Sequence, residues 1–133
     1  MKRISLFCLF VMVLFAGNAW AATLDGDWTA INTCIGGNYT DPANPQVNIT
    51  SVEFFQVGMH FTALNAGGEL CGGIIDGKSI YLTCPPQIAE NPDDQVFQEG
   101  TVFQGILKGQ NEITGVNHVP QDGKTCFIEV LRD

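Results

Sequence analysis

Cysteines, histidines and a run of carboxylates are the residues of this chain whose types and spacing could do chemistry. Cys8 lies in the N-terminal apolar run, and the other four of the five cysteines, Cys34, Cys71, Cys84 and Cys126, are separated by 37, 13 and 42 positions. A Zn(Cys)₄ site usually gathers its ligands in close CxxC pairs. The wide, even set points instead to two disulfides, with no metal and no cofactor. His60 and His118 fall on predicted strands. A general base needs a partner and a cleft, and neither histidine brings one. No Ser, Cys or Lys nucleophile has a recognisable setting, so no catalytic residue is assigned. The stretch AENPDDQVFQEG places Glu90, Asp93, Asp94 and Glu99 within ten residues. Calcium needs six to eight oxygens at defined spacing, and no EF-hand order is present. The stretch reads either as a solvated loop or as an acidic rim for docking a cation or a basic protein, joined by Asp41 and Asp122. Aromatic residues, among them Phe61, Tyr81 and Phe103, are the candidates to contact an apolar ligand.

The chain has 133 residues. Lys2 and Arg3 precede a 13-residue apolar run, Ile4 to Ala16, and Ala19-Trp20-Ala21 forms a small-x-small cleavage site. That is the layout of a secretory signal peptide over 1–21. Thirteen residues are too few to span about 30 Å of hydrocarbon as a helix. A single domain is then expected over 22–133, periplasmic or secreted. Loss of Lys2 and Arg3 leaves four basic residues against fourteen acidic ones, a net charge of −10. Phosphate binding needs Lys and Arg, so nucleic acid and anionic membrane surfaces are poor partners. A monomer is expected.

These residues must be held by strands. Fifteen glycines accompany short β-branched and aromatic runs. No segment of 22–133 keeps a 3.6-residue apolar period for three turns. The pattern predicts eight strands, over about 28–34, 47–55, 59–65, 69–75, 79–84, 101–107, 112–118 and 125–132. Gln56-Val57-Gly58, Asp76-Gly77-Lys78 and Lys108 to Asn111 read as tight hairpin turns. The connections Ile35 to Gln46, Pro85 to Gly100 and Val119 to Lys124 are longer. In an up-and-down meander, the tight turns fall at one end and the long loops at the other.

Eight antiparallel strands leave two edges, and closure into a barrel removes both. The first strand then pairs with the last. Opposed residues in an antiparallel pair have a constant index sum. Cys34 with Cys126 and Trp28 with Arg132 both sum to 160. A disulfide at one end of the seam and a cation–π contact at the other would fasten it. Cys71 with Cys84 shares the sum 155 with Ile75 and Ile80. The register therefore predicts Cys34–Cys126 and Cys71–Cys84. Two other connectivities remain compatible with the sequence.

Gly26-x-Trp28 opening the first strand, Arg132 on the last and the eight-stranded meander resemble the calycin group of lipocalins, avidins and small bacterial relatives. FQGILKGQNEITG (Phe103 to Gly115) is similar to hairpins of small exported bacterial barrels. The resemblance implies a Trp28 at the closed end with Arg132 packed over it. The lipocalin Thr-Asp-Tyr motif has no counterpart, and signal cleavage leaves Trp28 as the one tryptophan, so biotin binding is not carried over.

The expectation is an all-β, eight-stranded antiparallel barrel with two disulfides, acting as a non-enzymatic binding module. A small apolar or cationic ligand would enter at the long-loop end, near Phe61, Tyr81 and Phe103. Such a barrel is wide enough either to hold one small ligand or to be filled by its own side chains. Gly73, Gly105 and Gly115 would leave open space or let strands bend. The alternative is a protein-binding module, such as an inhibitor of a basic exported hydrolase, working through the acidic rim.

Overall fold

The computed structural model describes residues 23–37, 41, 43–86, 100–120 and 123–133. Eight strands form: β1 (Gly26–Ile35), β2 (Gln46–Val57), β3 (His60–Asn65), β4 (Leu70–Asp76), β5 (Ser79–Cys84), β6 (Thr101–Lys108), β7 (Glu112–Val119) and β8 (Lys124–Arg132). Each pairs antiparallel with the next, and β8 returns to β1, closing the barrel in meander order. Closure leaves no sheet edge of the kind that invites pairing with another chain.

The strands follow the alternation of the sequence. On β6, Phe103, Gly105 and Leu107 point inward while Val102, Gln104 and Ile106 point outward. The outer face is mixed, with Glu53, Gln104 and Glu129 among exposed apolar residues. The core is apolar and includes Leu24, Trp28, Phe54, Phe61, Ile80, Phe103, Leu107 and Ile113. The tight turns after β2, β4 and β6 carry Gly58, Gly77 and Gly109 at φ of 63°, 61° and 66°. Those left-handed conformations cost glycine nothing and would strain a residue with a Cβ.

The seam has the register read from the sequence. Trp28 faces Arg132 and Cys34 faces Cys126 across β1 and β8. Cys34–Cys126 and Cys71–Cys84 are the two disulfides. The second joins β4 to β5, half-way round the barrel from the seam. The bonds therefore clamp opposite walls, and two disulfides fit an oxidising compartment.

One expectation changes. Gly73, Gly105 and Gly115 do not leave vacant volume. A Cβ at Gly73 would overlap the Phe61 ring, and one at Gly105 or Gly115 would overlap the ring of Phe103. The glycines are the seats of two aromatic rings.

Candidate functional site

One end of the barrel is plugged. Leu24 and Trp28 are fully buried there. Trp28 Nε1 donates to Leu24 O at 2.8 Å, and Leu24 N–H donates to Gln56 Oε1 at 2.7 Å. The Arg132 guanidinium lies 4.3 Å from the Trp28 ring centroid. Its Nη1 donates to Asp25 O at 2.7 Å, its Nη2 to Thr23 O at 2.6 Å and its Nε to Gln110 O at 3.1 Å. One side chain thus ties the segment before β1 to the β6–β7 turn.

A cavity of about 270 Å³ opens toward the other end. An engineered cavity of about 150 Å³ binds benzene, and drug-sized sites begin near 300 Å³. The volume suits a ligand between those sizes. Its lining is graded. Phe54, Phe61, Ile80 and Ile113, near the tight-turn ends of their strands, make the floor, with Phe103 on the wall. Trp28, Phe54 and Phe61 stack edge to face, with centroids 5.7 and 5.6 Å apart, and fix that floor. Asn32, Asn48, Asn65, Glu69, Asn117 and Lys124 sit near the opposite strand ends and also line the cavity. The sheet therefore presents an apolar base and a polar mouth.

Glu69 is set by its neighbour. Asn65 Oδ1 accepts from the N–H groups of Gly67 and Glu69, both at 3.0 Å. Asn65 Nδ2 donates to Glu69 Oε2 at 2.9 Å. The short β3–β4 connection is so folded around one asparagine, which turns the carboxylate toward the cavity. Burial raises the Glu69 pKa above the usual carboxylate value, and the Asn65 hydrogen bond offsets part of this. The carboxylate and the sulfurs of Cys71 and Cys84 lie within 4.8 Å of one another. Metals bind the thiolate, and these sulfurs are bonded to each other, so the cluster offers a single carboxylate. Across the mouth, Asn117 Oδ1 is buried with no hydrogen-bond partner among the described residues.

The candidates from the sequence divide. Phe61 and Phe103 line the cavity. Tyr81 does not: it is 44% exposed on the outer face of β5, paired with Ile74. Its odd position in the strand, between the inward Ile80 and Leu82, turns it out. His60 and His118 are likewise exposed, His118 sharing a 3.2 Å hydrogen bond with Thr125 Oγ1. Asp41 is exposed, and its carboxylate accepts from Ala43 N–H at 2.9 Å in its own turn. Glu90, Asp93, Asp94, Glu99 and Asp122 lie outside the described residues. The polar mouth was missed. Inward parity carries its signal: Asn32 sits midway between Ala30 and Cys34, and Asn117 faces Phe103.

No protein-family model, curated protein or solved structure matches the chain.

Proposed function

We propose that this protein is an exported, non-enzymatic binding module that holds one small ligand inside the barrel. The observation that carries the reading is the 270 Å³ cavity, closed at the Trp28–Arg132 end and polar at the other. A barrel built only to be stable would fill that space, because interiors pack to the density of organic crystals. The apolar floor supplies affinity and the polar mouth supplies orientation, the usual division of labour in ligand sites. The closed barrel with Arg132 over Trp28 supports a calycin relationship.

Export rests on the basic head, apolar run and Ala19-Trp20-Ala21 site of 1–21 together with the two disulfides. The module works in aqueous surroundings, periplasmic or secreted. Membrane-spanning barrels carry an apolar outer band around a polar interior, whereas here the core is apolar and Glu53, Gln104 and Glu129 stand mid-strand on the outside. The second reading, an acidic rim acting on a basic protein, rests on Glu90, Asp93, Asp94, Glu99 and Asp122, which lie outside the described residues, and on the exposed Asp41.

Native mass spectrometry of the oxidised, export-processed protein tests the proposal. A non-covalent mass released by gentle activation is the expected result. A bare protein that also leaves the fluorescence of added 1-aminoanthracene unchanged would remove the binding reading.

A further inference from the structure

The polar mouth holds donors in its asparagine amides and Lys124, but the two groups left unmatched among the described residues are acceptors. Glu69 Oε2 receives Asn65 Nδ2, and among the described residues no donor reaches its other oxygen. Asn117 Oδ1 is buried with no donor among the described residues. Leaving such a group unpaired costs about 1–3 kcal/mol. A ligand that brings donors removes the cost, and one that brings more acceptors does not. Glu69 and Lys124 are the ionisable side chains of the lining, the four cysteines being disulfide-bonded. Lys124 already makes an interaction of its own, whereas the Glu69 carboxylate has, among the described residues, the neutral amide of Asn65 as its one hydrogen-bond donor. The whole chain, at a formal charge of −8, draws cations toward the cavity.

We infer that the ligand is a small amphiphilic amine, whose protonated head donates to the Glu69 carboxylate and whose apolar body lies on Phe61 and Phe103. A second N–H or O–H on the ligand is what Asn117 Oδ1 is placed to accept. Charge-assisted hydrogen bonds are roughly twice as strong as neutral ones, so the head adds selectivity that the aromatic floor lacks. This inference rests on the reading of the barrel as a ligand-binding module.

Three probes of equal length separate the two claims. n-Hexylamine is protonated at neutral pH, as an alkylamine near the lysine pKa of about 10.4 must be; 1-hexanol is neutral and hexanoate is anionic. Calorimetric titration of the oxidised, export-processed protein should show hexylamine binding at least about tenfold more tightly than hexanol, and hexanoate more weakly than either. Glu69→Gln should collapse the preference for hexylamine over hexanol to near equality. Equal binding of hexylamine and hexanol, or tighter binding of hexanoate, would overturn the amine assignment while leaving a ligand-binding barrel. An amine preference that survives in E69Q would overturn the role of Glu69. Failure of all three probes would overturn the binding reading itself, and the amine with it. The comparison on the unaltered protein decides the amine question whether or not E69Q folds.

Discussion

Arg132 covers Trp28 at 4.3 Å and, from the same guanidinium, reaches three backbone carbonyls belonging to Thr23, Asp25 and Gln110. The contact does two jobs at once. It shields the indole that plugs the barrel, and it joins the chain before β1 to the turn after β6. A planar fork of five donors can do this, and a lysine ammonium cannot. Arg132→Ala should cost about 1–3 kcal/mol, read as a lower urea midpoint at unchanged slope. Arg132→Lys should recover only part of the loss. A lysine variant as stable as the natural protein would show that charge alone, not the fork, holds the plug. Neither variant should alter probe binding, because Arg132 does not line the cavity.

The two disulfides close loops of very different size, with sequence separations of 92 and 13. Loop-closure entropy then assigns about 4.5 kcal/mol to Cys34–Cys126 and about 3 kcal/mol to Cys71–Cys84. The larger bond also spans the seam, where the barrel must join residues far apart in the chain. Removing Cys34 and Cys126 together, as alanines, should lower stability more than removing Cys71 and Cys84. Guanidinium unfolding of the two double variants gives the comparison, and the reverse order would remove the entropic account.

The register of the barrel was legible because symmetry of index sums needs no tertiary knowledge. Trp28 and Arg132 could be matched to Cys34 and Cys126 from position alone, and the tight glycine turns marked one end. Parity within a strand was also available. It would have turned Tyr81 outward, since Ile80 and Leu82 flank it on the inner face. An aromatic ring suits a ligand wall, but parity and not ring type decides which face of the sheet it joins. Gly73, Gly105 and Gly115 mark the opposite limit. A missing side chain reads as free space in one dimension, yet the rings that occupy it, Phe61 and Phe103, come from β3 and from elsewhere on β6. Glu69 had no signal of its own. Its orientation follows from the three hydrogen bonds that bind Asn65 and the Asn65–Glu69 connection together.

The raised pKa of Glu69 is a statement about stability. The folded protein resists ionising this carboxylate, because burial withdraws it from water, while the unfolded chain ionises at the usual carboxylate value of 4.5. The contribution is therefore fully present below that value and is lost as pH rises through the higher folded-state pKa. Glu69→Gln keeps an acceptor for Asn65 Nδ2 and removes the charge. The variant should match the natural protein in acid and exceed it in stability at neutral pH, the gap opening above pH 4.5. Thermal unfolding across pH 4 to 7 checks the sign. A gap that opens toward acid would mean that the Asn65 hydrogen bond outweighs burial.

Ala63 lies buried on the inner face of β3, between Phe61 and Asn65, and lines the cavity. A leucine there would carry three more carbons into space that the barrel leaves unfilled. Each buried methylene is worth about 0.8 kcal/mol, and a well-packed core would instead lose about 1–3 kcal/mol to overpacking. The sign of the change thus reports whether the cavity exists in solution. Ala63→Leu should raise the urea midpoint and abolish uptake of hexylamine and hexanol alike. The opposing trends, more stable and less able to bind, are what a site kept open at the expense of packing requires. A variant that loses stability would mean that the barrel is already full, and that any binding takes place outside it.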